Sequence, residues 1–380
     1  LRRGGVHKRL TIITLTFIHQ NGRRFLKTGL WRARFKFGYR LQSLTGAARV
    51  RDFKETNIMI EIKPNWGEAD IPNLDGKVVF ITGANIGLGY ESARMLAANG
   101  AHVVLACRNA AKAQAAMARV RALHPSAKLT FVQLDLSDLE NVGKVNAALT
   151  QAGVQRIDIL LNNAGIMATP KRLATKQGFE MQFGVNHLAH FALTARLFPL
   201  LSAAARIVNV SSIANQAGDV NWDDIQWERK YSPMGAYRQS KTANLLFTYE
   251  LNRRLTAAQS GVAAVAAHPG VAHTNLVEGS AFDNWFWKLF LYAYRVYAAI
   301  IPFGIRVQTA AMGALPQVYA CAGEVAPGGY YGPAKRTHGH PISAEAHRAP
   351  HSSDPDAARR LWEISEQLTD IKFEIAKPAN

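Results

Sequence analysis

From position 77 onward, short apolar runs alternate with stretches whose apolar residues recur every three or four positions. Runs this short and this apolar suit strands buried on both faces, and the spaced stretches suit helices packed over them. The runs at 78–81, 102–106, 129–133, 157–161, 206–210 and 262–267 predict strands. Helices are predicted over 87–98, closed by Asn99-Gly100, and over 110–123, closed by His124-Pro125. Ser137, with Glu140 three residues on, reads as the capping box of a third helix. A long helical pattern covers 178–201, and another carries Tyr237 to about position 255. This alternation predicts an α/β fold, a doubly wound parallel sheet of Rossmann type in a single domain, because such crossovers are right-handed.

Three segments depart from the rhythm. Residues 282–303 carry Trp285, Phe286, Trp287, Leu289, Phe290, Tyr292, Tyr294 and Tyr297, leaving a thin polar stripe of Asn284, Lys288 and Arg295. They read as a lid over a hydrophobic substrate, or as an amphipathic surface making a peripheral membrane contact or meeting a second subunit. Residues 354–370 open on Asp354-Pro355 and place Leu361, Trp362, Ile364 and Leu368 at helical spacing. Residues 1–58 form a basic extension, with 14 Lys and Arg against Asp52 and Glu55, so they carry +12 of the net charge of +18. This extension reads either as a leader or basic arm or as sequence outside the mature protein, since the first methionine is Met59. The organisation expected is thus the extension, then a domain over 59–380 with its core at 77–331, a variable lid at 275–304 and a C-terminal helix.

Composition narrows the function classes. A hydrophobic fraction of 48% is that of a globular core former. Two cysteines, Cys107 and Cys321, cannot build a disulfide framework, which points to a reducing, cytoplasmic compartment. The basic charge lies mostly in the extension without interleaved aromatic recognition motifs, so a nucleic-acid partner is not expected. His187 and His190 share a helix face and His338, His340, His347 and His351 cluster late, but no cysteine or carboxylate spacing completes a metal set. No metal is expected.

The chemistry is concentrated in two places. After the first strand comes Thr82-Gly83-Ala84-Asn85-Ile86-Gly87-Leu88-Gly89, a turn whose backbone amides and following helix N-terminus suit a dinucleotide pyrophosphate. The tip of the second strand reads Cys107-Arg108, where an acid would hold a ribose hydroxyl; Arg108 instead favours a 2′-phosphate, hence NADP(H) over NAD(H). Farther on, Tyr237 and Lys241 stand one helical turn apart, so the ammonium can tune the phenol. Bringing a phenol from its usual ~10 to neutrality asks for roughly 4 kcal/mol of phenolate stabilisation. A second Tyr-x-x-x-Lys, Tyr331 to Lys335, encloses Gly332-Pro333, which argues against a helix there.

These residues, taken in order, resemble the short-chain dehydrogenase/reductase family, and within it the retinol dehydrogenase-like and WW domain-containing oxidoreductase-like group. The likeness spans about 77–331. Besides the glycine turn and the Tyr237/Lys241 pair, it rests on Asp135-Leu136, Asn162-Asn163-Ala164-Gly165, Asn186, Ser211-Ser212, and Pro269-Gly270-Val271 with Thr274. The resemblance implies a catalytic tetrad of Asn186, Ser212, Tyr237 and Lys241. It also implies an adenine pocket at Asp135-Leu136, cofactor contacts at Asn163, Ala164, Gly165, Pro269, Gly270, Val271 and Thr274, and homo-oligomers through the helices of Asn186 and Tyr237. The expected activity is interconversion of a hydrophobic alcohol with its aldehyde or ketone; a non-catalytic NADP-binding module is the competing expectation.

Overall fold

The computed structural model describes residues 61–272 and 307–375. The basic extension, the aromatic segment 282–303, the lid 275–304 and Thr274 lie outside the described residues. Strands β1 (Val78–Thr82), β2 (His102–Cys107), β3 (Leu129–Gln133), β4 (Ile157–Asn162), β5 (Leu201–Val210), β6 (Ala263–Ala267), β7 (Tyr330–Pro333) and β8 (Pro341–Ser343) form one sheet of order β3-β2-β1-β4-β5-β6-β7-β8. Every neighbouring pair is parallel except β7 with β8. The order reverses between β1 and β4, the switch point that opens a crevice at the C-terminal ends of the strands.

Alternate residues of each strand feed two cores, since strand side chains point to opposite faces in turn. On one face Val79, Ile81, Val103, Leu105, Val208 and Val265 pack under helices α1 (Gly87–Ala98), α2 (Ala110–Leu123) and α8 (Ala310–Ala322). On the other, Phe80, Val104, Leu160, Ile207 and Ala264 meet α3 (Leu139–Gly143), α4 (Val145–Gln151), α6 (Ala189–Leu197) and α7 (Pro233–Ala257). Arg206 on β5 is largely buried and donates to the carbonyls of Ala320, Cys321 and Gly323, which satisfies the C-terminal end of α8.

Three local expectations change. Asp138, not Ser137, caps α3, accepting from the Glu140 amide at 2.9 Å; Ser137 is instead drawn to the Asp135 carboxylate through both its amide and its hydroxyl. The pattern over 178–201 is not one helix. Glu180 caps a single turn, α5 (Met181–Phe183), a π turn (Gly184–Leu188) carries Asn186, and α6 ends in the turn Phe198–Leu200 before β5 begins. Gly184 is required there, as a Cβ would stand 2.5 Å from Thr175 Cγ2. Third, the sheet extends past the predicted strands through β7 and β8, and Tyr331 lies in a strand, as Gly332-Pro333 demands. The last helix, α9 (Pro355–Thr369), has the expected Asp354 cap and lays Trp362 against Phe191, Phe247 and Phe373 over the outer side of α6 and α7.

Candidate active site

The predicted cofactor residues with described positions gather along the C-terminal edge of the sheet. In the β1–α1 turn Gly83 and Gly87 have φ of +68° and +58°, conformations open to glycine at little cost. Gly89 allows α1 to press on the turn: a Cβ there would stand 2.4 Å from Gly83 O and 2.5 Å from Asn163 Nδ2. Ile86, at the N-cap, offers no side-chain hydrogen bond, so the first turn of α1, including Leu88, keeps its amides for a ligand. The Cys107 thiol lies by the Ala84 and Asn85 amides, and burial pushes it up to about 11. A turn held from behind, with a bare helix N-terminus in front, fits a dinucleotide pyrophosphate.

The flanking positions fit the same ligand. Arg108 is exposed at the tip of β2, Leu136 is buried, and half-buried Asp135 accepts from Ser137. Asn163 donates to Thr82 O at 2.8 Å, and the Thr82 hydroxyl accepts the amides of Asn163 and Ala164. A Cβ on Gly165 would come within 3.3 Å of Asn186 Oδ1 and 3.5 Å of Lys241 Nζ, so glycine leaves room beside both groups. After β6, the buried His268 accepts from the Gly270 amide; Gln308 donates to Pro269 O, and the Val271 amide donates to Thr337 O.

Helix α7 starts at Ser232, which accepts from the Gly235 amide, with Pro233 at its first position. One turn in, Tyr237 is buried, with the Ser212 side chain beside its hydroxyl. Ser211 faces elsewhere: its hydroxyl donates to Lys241 O at 2.8 Å. Lys241 Nζ lies 5.9 Å from the centre of the Tyr237 ring and donates to Val210 O at 3.0 Å. Asn186 brackets Ile166, donating to its carbonyl and accepting its amide, both at 2.9 Å, and also donates to Ser240 on α7. All four predicted catalytic side chains therefore converge.

Their electrostatics depart from the simple expectation that the ammonium lowers the phenol. Burial is the dominant influence on both groups: it raises Tyr237 above the usual phenol range, against the Ser212 hydrogen bond, and lowers Lys241 to about 8. The chain alone thus holds a protonated phenol against a hydroxyl, an arrangement that can donate a proton to a carbonyl oxygen. Two supporting residues escaped sequence reasoning. Thr82 had a signal, a polar side chain ending an apolar run; Gln317, which reaches from α8 to donate to Asn163 Oδ1 and Ser92 Oγ, had none.

Residues 77–284 match the family described as short chain dehydrogenase. Human retinol dehydrogenase 13 is 39% identical over 321 residues, 80% of this chain and 87% of that protein. Human retinol dehydrogenase 12 is 40% identical over 306 residues, 79% of this chain and 89% of that protein. Among solved structures, an uncharacterised protein from Mycobacterium paratuberculosis superposes with a TM-score of 0.66 at 39% identity, covering 82% of this chain and 100% of that one. A short chain dehydrogenase from Burkholderia cenocepacia in complex with NADP superposes with a TM-score of 0.52 at 25% identity, covering 68% of this chain and 96% of that one.

Proposed function

This chain belongs to the short chain dehydrogenase family and is an NAD(P)-dependent oxidoreductase acting on CH–OH donors, and from that footing we propose that it uses NADP(H) to interconvert a hydrophobic alcohol with its aldehyde or ketone. The observation that carries the reading is the convergence of Tyr237, Ser212, Lys241 and Asn186 beside the glycine turn at the switch point of the sheet. The bound nicotinamide supplies or accepts hydride. In reduction, Ser212 holds the carbonyl oxygen and Tyr237 gives it a proton. Lys241 would hold the nicotinamide ribose, and Asn186 fixes the Gly165–Ile166 segment beside it. Arg108, at the adenosine end, pairs with a 2′-phosphate. Similarity to retinol dehydrogenases supports a long apolar alcohol as substrate class.

The test is NADPH consumption by the full chain across a panel of apolar aldehydes and ketones, retinal included. Turnover is expected with NADPH above NADH. Tyr237→Phe should lose roughly 10²–10⁴ in kcat while still binding NADPH. Tight NADPH binding without turnover on any member would replace this reading with a non-catalytic binding module.

A further inference from the structure

We infer that His190 is a positioning residue for this reaction: a neutral imidazole, protonated on Nδ1, that bridges the two residues holding the Asn163–Ile166 segment of the proposed cofactor site. The inference rests on the proposed reading of that segment as cofactor floor. A threonine hydroxyl has one hydrogen to give and two lone pairs to fill. Thr82 Oγ1 accepts from the Asn163 amide at 3.0 Å and the Ala164 amide at 2.9 Å, which fills both. Its own hydrogen is left for His190 Nε2, 2.9 Å away, so that nitrogen is the acceptor. The ring proton then sits on Nδ1, which donates to Asn186 O at 3.1 Å.

The two ends of this bridge matter. Thr82, closing β1, holds the amides of Asn163 and Ala164, while Asn186 brackets Ile166 and reaches Ser240, whose hydroxyl donates to Tyr237 O. His190, 2% exposed on α6, thus fixes the floor to both the glycine turn and the catalytic helix. An imidazolium would put a third donor against Thr82, and burial opposes it, lowering His190 to about 4. The buried neighbour His187 instead meets Ser365 on α9, so the two histidines of the helix face are not a ligand pair.

The test uses the full chain with ¹⁵N-histidine labelling, the His190 signal among the 12 being assigned by its loss in His190→Phe. Nδ1–H, unchanged between pH 6 and 9, is expected; an Nε2–H tautomer or a titration in that range would overturn the assignment whether or not the protein turns over. In His190→Phe, which keeps an aromatic side chain but neither ring nitrogen, NADPH affinity should fall at least tenfold and kcat likewise, with the KM for carbonyl little changed. His190→Asn, which keeps a donor toward Asn186 O, should recover part of both. A His190→Phe variant with parental NADPH affinity and kcat would sink the positioning role. A parent that binds NADPH but never turns over would instead count against the enzymatic reading, since the tautomer and the affinity are read without catalysis.

Discussion

Replacing Lys241 with methionine should destroy activity and make the protein more stable. Lys241 is 4% exposed, and burial lowers it from 10.5 to about 8. That fall corresponds to about 3 kcal/mol of preference for the neutral amine inside the fold. Near pH 7 the side chain is nevertheless charged, so the folded state carries nearly all of that cost. Methionine fills a similar volume without charge. What it loses is the hydrogen bond to Val210 O, about 1.5 kcal/mol, and that carbonyl keeps a partner in Asn244 Nδ2 at 3.0 Å. A net gain of about 1–3 kcal/mol follows, or roughly 2–6 °C in melting temperature. The pH dependence fixes the cause. Below pH 8 both folded and unfolded parent hold the proton and the penalty is complete. Between about 8 and 10.5 the unfolded chain binds a proton that the folded chain has shed, so the parent gains stability relative to Lys241→Met as pH rises. Urea unfolding of both proteins at pH 7, 9 and 10 measures this difference, in which the titration of other groups cancels. A methionine variant less stable than the parent at pH 7, with a gap that does not move with pH, would refute the reasoning.

Other outcomes follow from packing and charge. Gly89→Ala should weaken dinucleotide binding at least tenfold, about 1.4 kcal/mol, because its Cβ would meet the Gly83 carbonyl. Gly143→Ala, with nothing within 4 Å, should leave binding unchanged in the same fluorescence titration. Trp362→Ala should cost about 3–5 kcal/mol in denaturant unfolding, since the indole fills the space among Phe191, Phe247 and Phe373. Arg108→Asp should shift preference from NADPH toward NADH by tenfold or more; a variant with full NADPH preference would disprove the pairing with a 2′-phosphate.

The strands and first helices were legible because each is a local matter. The runs containing Val79, Val103 and Leu160 are apolar on both faces, and Asn99-Gly100 and His124-Pro125 stop their helices with the residues nearest at hand. The site was legible for a related reason: Gly83, Gly87 and Gly89, and the pair Tyr237/Lys241, carry their chemistry within one turn of chain. Where two local partners competed, sequence could not choose. Ser137 and Asp138 both suit a cap, and Asp135 decided between them by taking the serine. The π turn at Asn186 was invisible, because hydrophobic spacing through 178–201 does not register one extra residue per turn.

The sequence by itself determined the order of elements, the glycine turn and the helical pairing of phenol with ammonium, since these depend on spacing along one chain. Only tertiary structure decided how strongly burial acts on Tyr237 and Lys241. It alone also joined Thr82, His190 and Asn186 into one hydrogen-bonded brace, for desolvation and donor counting are properties of what surrounds a group in space.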